Sequence, residues 1–204
     1  IFGKAWDMHV DKVLNAGLDE NLALVHNTVS FFVARGKEVI FDAEHFFDGY
    51  KANPAYALNV LEAALQAGAH CLCLCDTNGG TLPSGVFSGI AAVRDRFPGA
   101  VIGIHCHNDT GCAVASSIAA VEAGATHVQG TFTGTGERCG NADLSIIIPN
   151  LQLKMGYHCV DSDLTGLSGA VRRVMDISNL PVPGNTPYVG ASTFAHKGGM
   201  HIDG

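Results

Sequence analysis

Val101-Ile102-Gly103-Ile104-His105-Cys106-His107-Asn108-Asp109 decides how the rest of the 204-residue chain is read. A short apolar run rich in β-branched residues ends in a burst of polar side chains that can bind metals. Such a run is a buried strand, and in parallel α/β folds ligands gather beyond the C-terminal ends of strands. Residues i and i+2 of a strand share a face about 6–7 Å apart, so His105 and His107 can converge on one ion.

Working outward, comparable runs occur at Val39–Phe41, Cys71–Cys75 and Val128–Phe132, with Ile1-Phe2 as the tail of another. Polar clusters follow them in turn: Asp42-Ala43-Glu44-His45, then Asp76-Thr77-Asn78-Gly79-Gly80, and Gly134 through Asn141 after the last. Between the runs lies helical spacing. Leu22, Val25, Val29, Phe32 and Val33 share one helix face that Gly36 ends; Pro54 opens a helix that Gly68 closes; Ala113–Ala123 forms another, stopped by Gly124. Ala-Gly-Ala precedes two of the runs (Ala67–Ala69 and Ala123–Ala125), a weak internal repeat. Strand starts recur about every 25–32 residues, the length of a βα unit in a parallel sheet.

That alternation builds either an open doubly wound sheet or a closed eight-unit barrel. The open sheet should carry a phosphate loop after its first strand. The nearest candidate, Gly134 to Gly140, follows the last strand and lacks G-x-G-x-x-G spacing. The expectation is therefore α/β, a partial (β/α)8 TIM barrel whose remaining three strands precede Ile1. Residues 1–157 are assigned to the barrel and 158–204 to a helical linker region. Within the latter, Asp161 to Leu180 reads as a helix capped at Asp161 or Ser162. Pro181, Pro183, Gly184 and Pro187 then break the chain before a glycine-rich stretch containing His196 and His201.

Apolar residues make up 47% and charged residues 15%, which supports a large core and excludes a disordered chain. Twelve Lys and Arg against 19 acids, a net charge of -7, argue against nucleic-acid or anionic-membrane binding. No run reaches the roughly 18–20 apolar residues of a membrane span. Seven cysteines, with Cys71, Cys73 and Cys75 alternating in one apolar run, fit a reducing cytoplasm better than a secreted disulfide framework. The chain opens on Ile1 inside a strand, without a signal-peptide pattern, and is expected to be a piece of a longer protein.

At the strand ends, a closed zinc site would need two further Cys or His ligands. The neighbouring loops offer Asn141 and carboxylates instead, which suits a mixed nitrogen–oxygen site with positions open to substrate. Glu44 reads as a general base or as half of an ion pair across the barrel mouth. Thr77 reads as a donor to a carboxylate substrate or as a helix cap. The Cys71, Cys73, Cys75 row spreads over about 13 Å, too far for one ion, and reads as core. Phe46, Phe47 and Tyr50 read as loop packing; His9, His26, His70, His127 and His158 show no partner pattern.

His105-x-His107-Asn108-Asp109 followed by Gly134-x-Gly136-Glu137-Arg138-Cys139-Gly140-Asn141-Ala142 resembles the metal-dependent acyl-CoA Claisen-condensing enzymes. These are the 2-isopropylmalate, homocitrate and citramalate synthases, with hydroxymethylglutaryl-CoA lyase a cousin. Further matching stretches are Gly3 to Val10, Asp42 to Pro54, Cys75 to Pro83 and Tyr188 to His201, so the likeness runs from end to end and leans to the (R)-citramalate-forming branch. The resemblance implies a (β/α)8 barrel in which the five strands are the fourth to eighth. It implies a divalent metal (Mg, Mn, Co or Zn) held by His105, His107 and Asn141, with an aspartate from a first-strand Arg-Asp-Gly motif that lies outside this sequence. It implies that Thr77 holds the substrate carboxylate, that Glu44 helps deprotonate acetyl-CoA, and that the segment of His201 and Asp203 reaches a partner subunit's barrel in a homodimer, His201 to assist catalysis and Asp203 to bind substrate. The implied reaction joins acetyl-CoA to a 2-oxo acid, pyruvate favoured, giving (R)-citramalate and CoA in isoleucine biosynthesis. The 2-isopropylmalate and homocitrate reactions are the alternatives. The lyase cousin lacks the segment around His201, and metal hydrolases of the amidohydrolase type carry their His-x-His on the first strand. A non-enzymatic reading is an inactive, aggregation-prone half-barrel with exposed sheet edges.

Overall fold

The computed structural model describes residues 1–161 and 163–196. Its centre is a wholly parallel five-stranded sheet of β1 (Phe2–Lys4), β2 (Ile40–Glu44), β3 (Cys71–Asp76), β4 (Val101–Cys106) and β5 (His127–Gln129), ordered as they occur in the chain. Each strand pairs with its predecessor. A doubly wound sheet reverses its order at a switch point, and this one does not. The choice between open sheet and barrel therefore falls to a segment of a (β/α)8 barrel.

Helices fill every crossover. α1 (Asp7–His9), a π turn and α2 (Leu18–Val33) join β1 to β2; α3 (Phe46–Ala52) and α4 (Pro54–Gln66) join β2 to β3; α5 (Pro83–Arg96) and α6 (Ala113–Glu122) complete the set. Their ends follow the expected punctuation. Asn53 caps α4 by accepting from the Tyr56 amide at 3.2 Å, one residue before Pro54. Gly36, Gly68 and Gly124 take φ of +69°, +94° and +112° where helices stop. Val25 and Val29 of α2 are buried, but Phe32 is 40% exposed and packs edge-on against Phe31 rather than in the core.

Strand alternation sorts the sheet into two faces. Phe41, Ala43, Leu72, Leu74, Ile102 and Ile104 are fully or almost fully buried on the helix-covered side. The opposite, inner face carries rows set by the register. Asp42 pairs with Cys73, Cys73 with Gly103 and Gly103 with His127; one step further on, Cys75 pairs with His105 and His105 with Gln129. Gly103 is required there. A Cβ would sit 2.9 Å from the His127 ring, 3.1 Å from Cys71 Sγ and 3.2 Å from Cys73 Cβ.

β5 stops at Gln129, earlier than the expected Phe132. Past Gly130 the backbone leaves the strand: Thr131 forms an isolated bridge to Asp143, and Thr133 turns with φ +61°. This turn and the chain from Asp143 onward form a second compact unit, whereas Ile1–Gln129 and Gly136–Ala142 form the first. The second unit holds α7 (Leu144–Pro149), capped by Asp143 through the Ser145 amide at 2.8 Å, and α8 (Leu167–Ile177). α8 begins six residues after the expected Asp161. Asp163 instead accepts from Thr165 N and Oγ1 at 3.1 and 2.7 Å, and Leu164 takes φ +64°, a local turn that competes with the helix. Val171, Met175 and Val189 form its buried core.

Candidate metal centre at the strand ends

His105 is the penultimate residue of β4, on the inner face. Its Nδ1 lies 3.0 Å from Gln129 Oε1, and Gln129 Nε2 donates to Asp42 Oδ1 at 2.8 Å. His107 follows one step beyond the strand, its ring 5.2 Å centroid to centroid from that of His105. The expected i, i+2 convergence is therefore present. Cys106 between them is buried on the opposite side, and burial pushes its thiol up to about 12.

Asn141 arrives by a fold-back of the chain. After β5 the segment Gly136–Ala142 returns to the end of β4, where Asn141 forms an antiparallel bridge with His107. Asn108 N donates to Gly140 O and Ala142 N to Cys106 O, both at 2.9 Å, on either side of that bridge. Gly136 passes over Asn141, and a Cβ there would collide with the Asn141 amide nitrogen.

The donor chemistry fits a divalent cation. Burial, then the charges of His105 and Arg138, push His107 below the ordinary imidazole value, a direction that favours the neutral ring a cation requires. Among the described residues, His107 Nδ1 is buried with no hydrogen-bond partner. An unsatisfied buried acceptor or donor costs on the order of 1–3 kcal/mol, and coordination removes that cost. Two imidazoles and an amide oxygen make a mixed set that accepts several divalent ions.

A second group of potential donors lies deeper: one ligand atom each of Asp42, Cys73 and Cys75 falls within 4.8 Å of the others. Here the hydrogen bond with Cys75, then burial, pushes the Cys73 thiol far up. All three cysteines of the row are buried, and Asp42 already accepts from Gln129.

Glu44, at the end of β2, pairs with Lys4 of β1 at 2.6 Å between Oε2 and Nζ. The ion-pair alternative for Glu44 is thus realised, beside a groove lined also by Phe2, Leu14 and Val25. Thr77 Oγ1 accepts from His45 N at 2.8 Å, and a hydroxyl that accepts there retains its own proton to donate. His45 itself takes φ +55°, a strained conformation for a residue with a Cβ, with Nδ1 3.1 Å from Asp48 Oδ2. His201 and Asp203 lie outside the described residues.

Three features escaped the sequence reading. Gln129 supports His105; only the strand register, which pairs the two, points to it. Arg138 holds Asp109 bidentately, Nε to Oδ1 and Nη2 to Oδ2, each at 2.9 Å, and also donates to Thr77 O at 2.8 Å, so one side chain ties three strand-end loops together. That hydrogen bonding holds the Asp109 carboxyl below the ordinary range. Trp6, His9 and His45 form an aromatic cluster, with ring centroids 4.8 Å apart for Trp6–His9 and 4.3 Å for His9–His45.

The chain is similar to known proteins. The chain is 55% identical over 202 residues to the (R)-citramalate synthase of Aquifex aeolicus, covering 98% of this chain and 38% of that one. It is 52% identical to that of Synechocystis, covering 99% and 38%. Against the 2-isopropylmalate synthase of Serratia proteamaculans identity falls to 34%, with 97% and 38% covered. The chain thus spans under two-fifths of the length of these relatives. Among solved structures, the HMG-CoA lyase of Bacillus subtilis superposes with a TM-score of 0.76 at 23% identity, over 90% of this chain and 64% of that one. An HMG-CoA lyase from Acinetobacter baumannii, solved with coenzyme A and 3-methylmalate, gives 0.72 at 20%, over 90% and 62%. At such identities the structures speak for the fold alone. The profile of the HMGL-like family matches residues 1–174, so the chain belongs to that family.

Proposed function

We infer that this chain is the metal-bearing part of an (R)-citramalate synthase, joining acetyl-CoA to pyruvate and hydrolysing the thioester to release (R)-citramalate and CoA. The observation that carries the reading is the meeting of His105, His107 and Asn141 at one strand end, in a chain 45–55% identical to (R)-citramalate synthases across its length. The lower identity to 2-isopropylmalate synthase makes the leucine-branch reaction the second choice. Residues 1–157 belong to the barrel and 158–204 to the linker region that follows it. The enzyme works in the cytoplasm as a homodimer, in isoleucine biosynthesis.

His105, His107 and Asn141 would hold the divalent ion, which when bound would supply Lewis acidity toward the ketone of the 2-oxo acid. Thr77 donates its hydroxyl proton to the substrate carboxylate, with the oxygen held by the His45 amide. Glu44, paired with Lys4, takes a proton from the acetyl methyl group. The enolate carbon bonds to the ketone carbon as the C=O π bond opens, and the resulting alkoxide takes a proton from water to become the product hydroxyl. His201 and Asp203 complete the site for enolisation and for hydrolysis, in which water adds to the thioester carbonyl and CoA leaves as a thiol.

The test is CoA release by the full-length protein with acetyl-CoA and pyruvate, 2-oxoisovalerate or 2-oxoglutarate. A preference for pyruvate, abolished by a chelator and by His105→Ala, is expected. Preference for 2-oxoisovalerate moves the enzyme to the 2-isopropylmalate reaction, and no release with any of the three overturns the synthase reading.

A further inference from the structure

The inner face holds a hydrogen-bonded chain that the reaction itself does not call upon: His105 Nδ1 to Gln129 Oε1 at 3.0 Å, and Gln129 Nε2 to Asp42 Oδ1 at 2.8 Å. Asp42 and Gln129 stand 87 positions apart in sequence and on strands separated by two others. Gly103 lies between them in the same inner layer and contributes no side chain. We propose that Gln129 and Asp42 are positioning residues that fix the tautomer and orientation of His105 for metal binding.

The direction of every proton follows from the end of the chain. An ionised carboxylate accepts only, so Asp42 requires the Gln129 NH2 to face it. The amide oxygen of Gln129 then necessarily faces His105. An oxygen accepts only, so His105 Nδ1 must carry the proton. In the neutral ring Nε2 then carries the lone pair, the form in which imidazole ligates a cation. His107 has no such partner at Nδ1 among the described residues.

This inference rests on the reading of His105 as a metal ligand, and its test separates the two. Metal affinity is measured on the full-length protein by competition of Mn2+ or Zn2+ with a chromophoric chelator. Gln129→Leu removes the acceptor, and Gln129→Glu sets two carboxylates against each other. Both are expected to weaken binding about 10–100-fold. Adding Asp42→Asn to Gln129→Glu reverses the charge of the link. The new amide at position 42 then donates to the new carboxylate at position 129, which still accepts from His105. The double variant has the wild-type charge and is expected to bind within a few-fold of wild type. Gln129→Leu binding like wild type, or a double variant no better than Gln129→Glu, overturns the proposal. Should the variants fail to fold, 15N spectra of the metal-free wild type decide: His105 is expected protonated at Nδ1 and bare at Nε2, and the opposite tautomer overturns the proposal. If His105→Ala binds metal like wild type, the metal-ligand reading falls as well; if it abolishes binding while Gln129→Leu does not, only the positioning role falls.

Discussion

The two faces of the five-stranded sheet use the same strands for opposite ends. On the helix side, Phe41, Leu72, Leu74, Ile102 and Ile104 present only hydrocarbon and are sealed from water. On the inner side, one residue along, Asp42, Cys73, Cys75, His105 and Gln129 present groups that must each find a partner. The outer face tolerates a change of shape at a cost in volume, because dispersion and burial are non-directional. The inner face depends on direction: losing one hydrogen bond there changes what the next residue can do.

Three experiments press on this contrast. The largest expected effect is on the outer side. Ile104→Ala should cost about 2–5 kcal/mol of stability in denaturant unfolding, while the fraction that remains folded binds metal as before. A loss of metal affinity in that folded fraction would break the division between faces. Gly103→Ala is next. Its added methyl meets His127, Cys71 and Cys73, for an overpacking cost of about 1–3 kcal/mol. Because Gly103 lies between Asp42 and Gln129, metal binding is expected to weaken with it, unlike Ile104→Ala. The smallest effect belongs to the exposed clamp of Arg138 on Asp109. Arg138→Gln should speed exchange of the Asn108 amide by up to about fivefold, as expected for a surface pair. The sign of its pH dependence follows from the depressed Asp109 carboxyl. The contribution is fully present above the unfolded carboxylate value of about 3.9 and is lost only as pH falls through the lower folded value. Protection of Asn108, corrected for intrinsic exchange, should therefore hold steady from pH 7 to pH 5 in the wild type.

What was legible in the sequence follows the same division. Cys71–Asp76 and Val101–Cys106 announce themselves because buried strands are continuous apolar runs, and Pro54, Gly68 and Gly124 mark helix ends through backbone rules that act locally. His105 and His107 were visible because two-residue periodicity is also local. Illegible was whatever depends on residues far apart in sequence. The Gln129–Asp42 contact needs three strand registers before it can be drawn. The ion pair of Glu44 with Lys4 needs β1 placed beside β2. The late start of α8 had a local cause, the Asp163–Thr165 turn, which the hydrophobic pattern masked because it extends past that turn.

The fold-back that sets Asn141 opposite His107 has a consequence for the life of the chain. His105 and His107 leave the ribosome together, but Asn141 is synthesised only after α6 and β5, and it is placed by backbone bonds from Asn108 to Gly140 and from Ala142 to Cys106. A nascent chain cannot bring His105, His107 and Asn141 together until that return segment has docked. A chain cut short before residue 141 keeps His105 and His107 on β4 and lacks the residue that the return segment sets opposite them.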